Sequence, residues 1–385
     1  MRKTGLGFLA LALIGAAPAL ADGTIKVGLL APFSGPFADS GTQFARGIEL
    51  YMREHGSTVA GKTIEIVKRD TGGSDAAVAK RLAQELVTRD KVDFLAGFIF
   101  TPEVLAVAPI ATEAKTPLIV MNAATRILTE KSPYVVRFSY VQDAMVAKLG
   151  EWAAQNGIGK LYVAVSDFSA GQESEATFTR TFTAAGGTVV GASHIPLDNP
   201  EFAPYVQRIA DAKPDAVYVF LPSGQPSGFI RQFVQLGLKR AGVKILGGTG
   251  IVDDTVKAAL GDDTLGIITV MVYSEAHQSA LNRKFVAEYR AAYGASTEPN
   301  YQAVGAYDGI AGIYMVVEKL GGAVDGDTAM TAFKGLAFES PRGPIEIDAA
   351  SRDITEAVYI RRVERVDGAL VNREIHDYPA VKVAH

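Results

Sequence analysis

The sequence predicts an α/β fold built as two doubly wound parallel-sheet lobes. Three observations point there. Apolar runs of strand length alternate with segments of helical periodicity in the order βαβαβα, joined by connections of a few residues. The alternation ends near residue 138 and restarts at 141, which makes a second unit of similar size. Finally, 385 residues with 48% hydrophobic composition exceed what a single core usually organises.

Taken in order, residues 1–21 read as a secretory leader. Arg2 and Lys3 form a short positive start, 6–17 is an apolar run too short for a bilayer, and Ala19-Leu20-Ala21 is a small-x-small cleavage site. Cleavage is expected before Asp22; the brevity of the apolar run argues against an uncleaved anchor. Without Arg2 and Lys3 the net charge of −4 becomes two units more negative, which leaves no basic patch for nucleic acid. There are no cysteines, so disulfides, a lipid-modified cysteine, a thiol nucleophile and thiolate metal sites are all excluded. These features fit a freely soluble chain of the bacterial periplasm.

Strands are expected at 25–30, 63–68, 92–97, 117–121 and 133–138, with helices at 42–55, 75–89 and 102–114 between them. The second unit reads as helix 141–156, strand 160–165, helix 172–185, strand 188–194, helix 202–212, strand 215–221, helix 226–236 and strand 244–247. The last third makes no complete third unit. It holds a strand at 265–273, helices at 279–293, 301–320 and 328–335, and strands at 343–347, 357–363 and 369–374. It is expected to be shared between the lobes, with lobe 1 as 22–142 and 273–357 and lobe 2 as 143–272 and 358–385. A crevice between two such lobes is a natural small-molecule site.

No catalytic or metal-binding constellation stands out. The five histidines lie at 55, 194, 277, 376 and 385, none three or four residues from another. There is no G-x-S-x-G elbow and no phosphate-binding glycine loop, so no cofactor is expected. Asp253-Asp254 and Asp262-Asp263 read as solvated loop, and His194 as a structural histidine.

The strand-end loops are richer. Gly97 through Thr125 contains two apolar runs, one ending at Phe100-Thr101-Pro102 and the other at Asn122-Ala123-Ala124-Thr125. In an open parallel sheet, ligands bind outside the carboxyl ends of the strands. Two neighbouring ends with a threonine each can cradle a carboxylate, although the same threonines also suit helix capping. The second unit offers Ser166 to Gly171, Leu221-Pro222-Ser223-Gly224-Gln225 and Gly247-Gly248-Thr249-Gly250. Such loops bind; they do not obviously react.

These residues resemble the leucine/isoleucine/valine-binding family, the type I periplasmic solute receptors of ABC importers. The resemblance rests on Ile25-Lys26-Val27-Gly28, Ala31-Pro32-Phe33-Ser34-Gly35-Pro36, Gly41, Gly47, Asp70, Gly97, Pro109, Pro117, Ala123-Ala124-Thr125, Tyr307-Asp308 and Gly343-Pro344. It implies an α/β fold of two doubly wound parallel-sheet lobes, joined by three crossovers, that close on ligand like a hinged trap, with ABC permease and ATPase subunits as partners; a monomer is expected. It also implies that Thr101, Ala124 and Thr125 hold a ligand carboxylate. Family members place an acid near position 249 to meet an ammonium group; here the residue is Thr249. An ammonium buried without a counter-charge costs several kcal/mol. Aromatic residues usual on the second-lobe side are replaced by Ala170 and Pro222, leaving a larger apolar space.

The expected ligand is therefore a carboxylate without an α-amino group, benzoate-like or phenylpropenoid. Val219-Phe220-Leu221-Pro222-Ser223-Gly224 also resembles the branch linked to aromatic-acid uptake. Phe100 and Phe168 are candidate ring contacts, and Asn122, Ala123, Gly250 and Tyr301 complete the expected site. Branched-chain amino acids or amides are the alternative ligands. A periplasmic hydrolase and a sensory receptor docking on a membrane kinase are the alternative classes.

Overall fold

The computed structural model describes residues 23–196, 200–222, 225–248 and 250–382. The expected leader at 1–21, Ser223, Gly224 and Thr249 lie outside the described residues. The first unit runs β1 (Thr24–Ala31), α1 (Ala38–His55), β2 (Thr58–Val59), β3 (Lys62–Asp70), α2 (Ala76–Glu85), β4 (Phe94–Gly97), α3 (Thr101–Ala114), β5 (Leu118–Val120) and β6 (Val135–Arg137). These strands form a six-stranded sheet in the order β2-β3-β1-β4-β5-β6, parallel except for the short β2. β4, β5 and β6 are buried along their whole length, which is why they read as continuous apolar runs.

The second unit runs α4 (Gln142–Gln155), β7 (Lys160–Ser166), α5 (Ser169–Ala184), β8 (Thr188–Ile195), α6 (Ala203–Ala212), β9 (Ala216–Phe220), α7 (Pro226–Gln235), β10 (Lys244–Gly247), α8 (Asp254–Leu260) and β11 (Ile268–Met271). Its strands are parallel, in the order β8-β7-β9-β10-β11. The remainder is α9 (Ala280–Tyr293), α10 (Tyr301–Lys319), α11 (Gly326–Phe333), β12 (Ala337–Ser340), β13 (Gly343–Ile347), β14 (Ile354–Val366) and β15 (Ala369–Val381). β14 pairs antiparallel with β11, β13 and β15, so the second sheet grows to nine strands.

The chain passes between the cores three times. Phe138 packs in the first core and Tyr140 in the second; Val272 packs in the second and Tyr273 in the first. The third passage lies inside β14, where Ile354 belongs to the first core and Val358 and Ile360 to the second. α1 and α10 meet almost backbone to backbone: a Cβ on Gly47 would sit 2.1 Å from the Ala303 carbonyl oxygen.

Some expectations need correction. α1 begins at Ala38 rather than 42, because a 3-10 turn at Gly35–Phe37 feeds directly into it. The Asp253 pair is not free loop: its carboxylate accepts from Val256 N–H at 2.9 Å and caps α8. β12 was not expected, and β14 and β15 run past their expected bounds. Antiparallel pairing to a neighbour extends these strands through charged residues that break the apolar pattern.

A charged cluster is buried beside the first passage. The Arg342 Nε lies 2.8 Å from Asp308 and its second nitrogen 2.7 Å from Glu356, while the third donates to the Phe138 carbonyl at 2.7 Å. One guanidinium thus serves two carboxylates. Burial is the main effect raising the Glu356 carboxyl, to about 8, and it raises Asp308 as well. In the unfolded chain Glu356 ionises near its ordinary value of 4.5, so over this window the folded state binds more protons. Stability is therefore expected to fall as pH rises from about 5 to 8. Glu356→Gln should flatten that slope in denaturant titrations across the range; an unchanged slope would assign it to another group.

Candidate ligand cleft

The first-unit side of the cleft is set by the ends of β4 and β5. Gly97 has φ +109, and a Cβ there would meet the Leu30 carbonyl oxygen at 2.3 Å. Phe98 follows with φ +69, a strained conformation for a bulky residue and one that concentrates at functional turns. It is held by two bonds: its N–H donates to Leu30 O at 3.0 Å, and its carbonyl accepts from Ala123 N–H at 3.0 Å. The two strand-end loops are thereby laced together.

That lacing brings Thr101 and Thr125 together. Their hydroxyl oxygens are 2.8 Å apart at the N-terminus of α3, where the helix dipole favours an anion. Phe100 is the residue before the helix, its ring edge-on to Phe37 at 4.9 Å. Asn122 is buried; its amide donates to Ile99 O at 2.8 Å, and its Oδ1 has no partner. The Ala124 carbonyl accepts from Gln142 N–H at 3.1 Å, and the Ala124 side chain packs against the second core.

Arg137, fully buried, holds this loop from beneath. It donates to the carbonyls of Ala123 at 3.0 Å, Tyr140 at 3.1 Å, Thr125 at 2.7 Å and Arg126 at 3.3 Å, and it pairs with Asp353. The Ser139 hydroxyl also donates to Ala123 O, at 2.7 Å.

On the second-unit side, Phe168 precedes α5 and stacks on Phe220 with centroids 6.1 Å apart. Ala170 packs on the same core, and Pro222 is half-buried just past β9. Tyr301 opens α10, packs against both cores and meets Tyr140 edge-on at 5.8 Å. Gly250, with φ +82, joins Tyr301 in lining a cavity of about 220 Å³ together with Gln43, Arg46, Asp253 and Arg361. Ala124, Phe168, Ala170 and Tyr301 therefore pack against one core, whereas Thr101 and Thr125 bond to each other, Asn122 is held against Ile99 and Ala123 is buried in the first core.

Among the described residues, no group of three or more His, Asp or Glu side chains could hold a metal ion. His194 pairs with Glu175 at 2.6 Å. No helix of the described residues is long and apolar enough to cross a membrane. Sequence reasoning missed Arg137, Phe98 and Glu103. The signal for Arg137 was a lone charge inside the apolar strand Val135–Arg137; a buried charge needs partners.

Replacing Arg137 by Met leaves Asp353 buried without its counter-charge and four carbonyls short of a donor. The expected loss of stability in denaturant unfolding is about 3–5 kcal/mol. The double change Arg137→Met with Asp353→Asn is expected to recover part of it.

Comparison with known proteins identifies this arrangement. A family profile described as periplasmic binding protein matches residues 24–369. The Leu/Ile/Val-binding protein homolog 6 of Brucella abortus is 43% identical over 98% of this chain and 97% of its own. A solute-binding protein of an ABC transporter from Rhodopseudomonas palustris BisB5, solved with 3,4-dihydroxybenzoic acid, is 47% identical, with a TM-score of 0.88 over 93% of this chain and 98% of that one. A second, from R. palustris HaA2 with p-hydroxybenzoic acid, is 42% identical, with a TM-score of 0.89 over the same shares. The chain belongs to the periplasmic binding protein family, and its relatives are Leu/Ile/Val-binding homologues and ABC-transporter solute receptors.

Proposed function

We propose that this chain is the periplasmic receptor of an ABC importer and that it captures an aromatic carboxylate, benzoate or a hydroxybenzoate, in the crevice between its lobes. The observation that carries this reading is the pair of threonine hydroxyls 2.8 Å apart at the N-terminus of α3. Each hydroxyl can turn its proton toward a carboxylate oxygen, and the helix end supplies favourable potential. The aromatic and small residues opposite, Phe168, Ala170, Pro222 and Tyr301, suit a flat ring. The R. palustris receptors that hold hydroxylated benzoates, at 47% and 42% identity, support the same substrate class.

Residues 22–142 with 273–357, and 143–272 with 358–385, are the two bodies that close. A ligand bridging them stabilises the closed conformer, whose combined surface is read by permease and ATPase subunits. The receptor acts as a monomer, performs no catalysis and uses no cofactor. One observation favours a second reading: Asp253 lines the cavity beside Gly250 and Tyr301, where a carboxylate could face the ammonium of a branched-chain amino acid. Its capping of α8 and the threonine at position 249 weigh for the plain acid.

The test is a thermal-shift screen against benzoates, hydroxybenzoates and phenylpropenoids in one panel and leucine, isoleucine, valine and small amides in the other. A ligand at 100 times its Kd stabilises the fold by about 2.7 kcal/mol, enough to see. Aromatic acids are expected to shift the transition and amino acids not; the reverse pattern replaces the substrate while keeping the receptor. Thr101→Ala and Thr125→Ala should each weaken acid binding by about 1.5–3 kcal/mol, and unchanged affinity in both would remove the carboxylate assignment. Thr249→Glu is expected to lower affinity for plain acids by charge repulsion.

A further inference from the structure

Glu103 lies two positions beyond Thr101 in α3, and the binding geometry above does not use it. Its side chain is completely buried. One oxygen accepts from Phe100 N–H at 3.0 Å, and the Thr71 hydroxyl and the Ile99 N–H also face the carboxyl. The carboxyl is thus tied to the backbone of Phe100, the residue directly before Thr101, within the first turn of α3.

We propose that Glu103 is a proton-linked positioning residue for the bound acid: neutral, it braces the turn without opposing the ligand, and ionised, it sets a second negative charge behind the ligand carboxylate. The proposal rests on the reading of Thr101 and Thr125 as the carboxylate seat. Two nearby carboxylates cannot both ionise freely in a buried site, so arrival of the anion draws a proton onto Glu103. By linkage, binding then takes up protons and weakens as pH rises.

The surroundings make this titration accessible near neutrality. Burial is the dominant influence and pushes the Glu103 carboxyl up to about 7, against hydrogen bonding from the Phe100 N–H, the Thr71 hydroxyl and the Ile99 N–H. The charged groups on neighbouring elements are engaged elsewhere. At the end of β3, Asp70 accepts from Phe33 N–H at 2.7 Å and Gly72 N–H at 2.8 Å. On α2, Arg81 pairs with Glu85 at 2.6 Å, and Lys80 is exposed. Past Thr125, Arg126 pairs with Asp143 at 2.5 Å, and Arg137 is held by four carbonyls and Asp353. Glu113 lies near the far end of α3. None of these charges is among the influences that set the Glu103 carboxyl.

The experiment is isothermal calorimetry of the chain from Asp22 with 4-hydroxybenzoate, at pH 7 in two buffers of different ionisation enthalpy, with Kd measured at pH 6, 7 and 8. Across this range the ligand carboxylate stays ionised and its phenol neutral, so neither titrates. The expected result is uptake of a fraction of a proton at pH 7 and an affinity that falls roughly two- to fivefold from pH 6 to pH 8, the equivalent of a half-unit to one-unit rise in the Glu103 pKa on binding. Glu103→Gln is expected to bind without proton uptake and with a flat profile. Binding by the unmodified chain with no proton exchange and equal affinity at pH 6 and 8 overturns the proposal while the carboxylate seat stands. A slope that persists in Glu103→Gln also overturns it. If Glu103→Gln does not fold, the unmodified chain alone decides by the same criterion. Absence of 4-hydroxybenzoate binding at every pH instead removes the carboxylate reading, and the proposal with it.

Discussion

A single buried guanidinium organises the loop after β5. Arg137 stands at the end of β6 and gathers the carbonyls of Ala123, Thr125, Arg126 and Tyr140, with Asp353 as its counter-charge. Those partners come from three segments: the loop after β5, the first passage between cores, and the approach to β14. A planar donor with five N–H groups can satisfy all of them at once, which a lysine could not. The position of Thr125 relative to Thr101, and so the spacing of the hydroxyl pair, depends on this anchor.

The second buried arginine follows the same logic with a different balance. Arg342 secures the Phe138 carbonyl, next to the passage that Arg137 braces from the other side. It faces Asp308 and Glu356 together, so the cluster holds one more acid than its guanidinium can neutralise. Buried ion pairs add little to stability on average but strongly disfavour misplacement. Here they fix where the chain leaves one core for the other.

Much of the architecture was legible in the residues. Parallel strands buried on both faces leave continuous apolar runs, so β1, β4, β5, β7 and β9 could be read within a residue or two. The meeting of Thr101 and Thr125 was legible for a related reason: a hydroxyl at the end of such a run has a defined place in an α/β sheet. The antiparallel strands at the end of the chain were harder. β14 and β15 carry Arg361, Arg362, Glu364, Arg365 and Arg373 among their apolar residues, and only pairing with a neighbour makes them strands. Glu103 was passed over because a glutamate near a helix start reads as surface capping; its burial depends on Thr71 and Ile99, which fold against it from other segments. The second-unit contacts were the least legible, since loops rich in Gly, Pro and Ser constrain length more than position.

β14 passes from one core to the other without a break, and the first core draws Ile345, Ile347 and Ile354 from the end of the chain. Neither half can therefore reach its native packing while the chain is being made from its N-terminus. Nearly the whole polypeptide must emerge before the first core closes, which delays folding by its dependence on distant contacts.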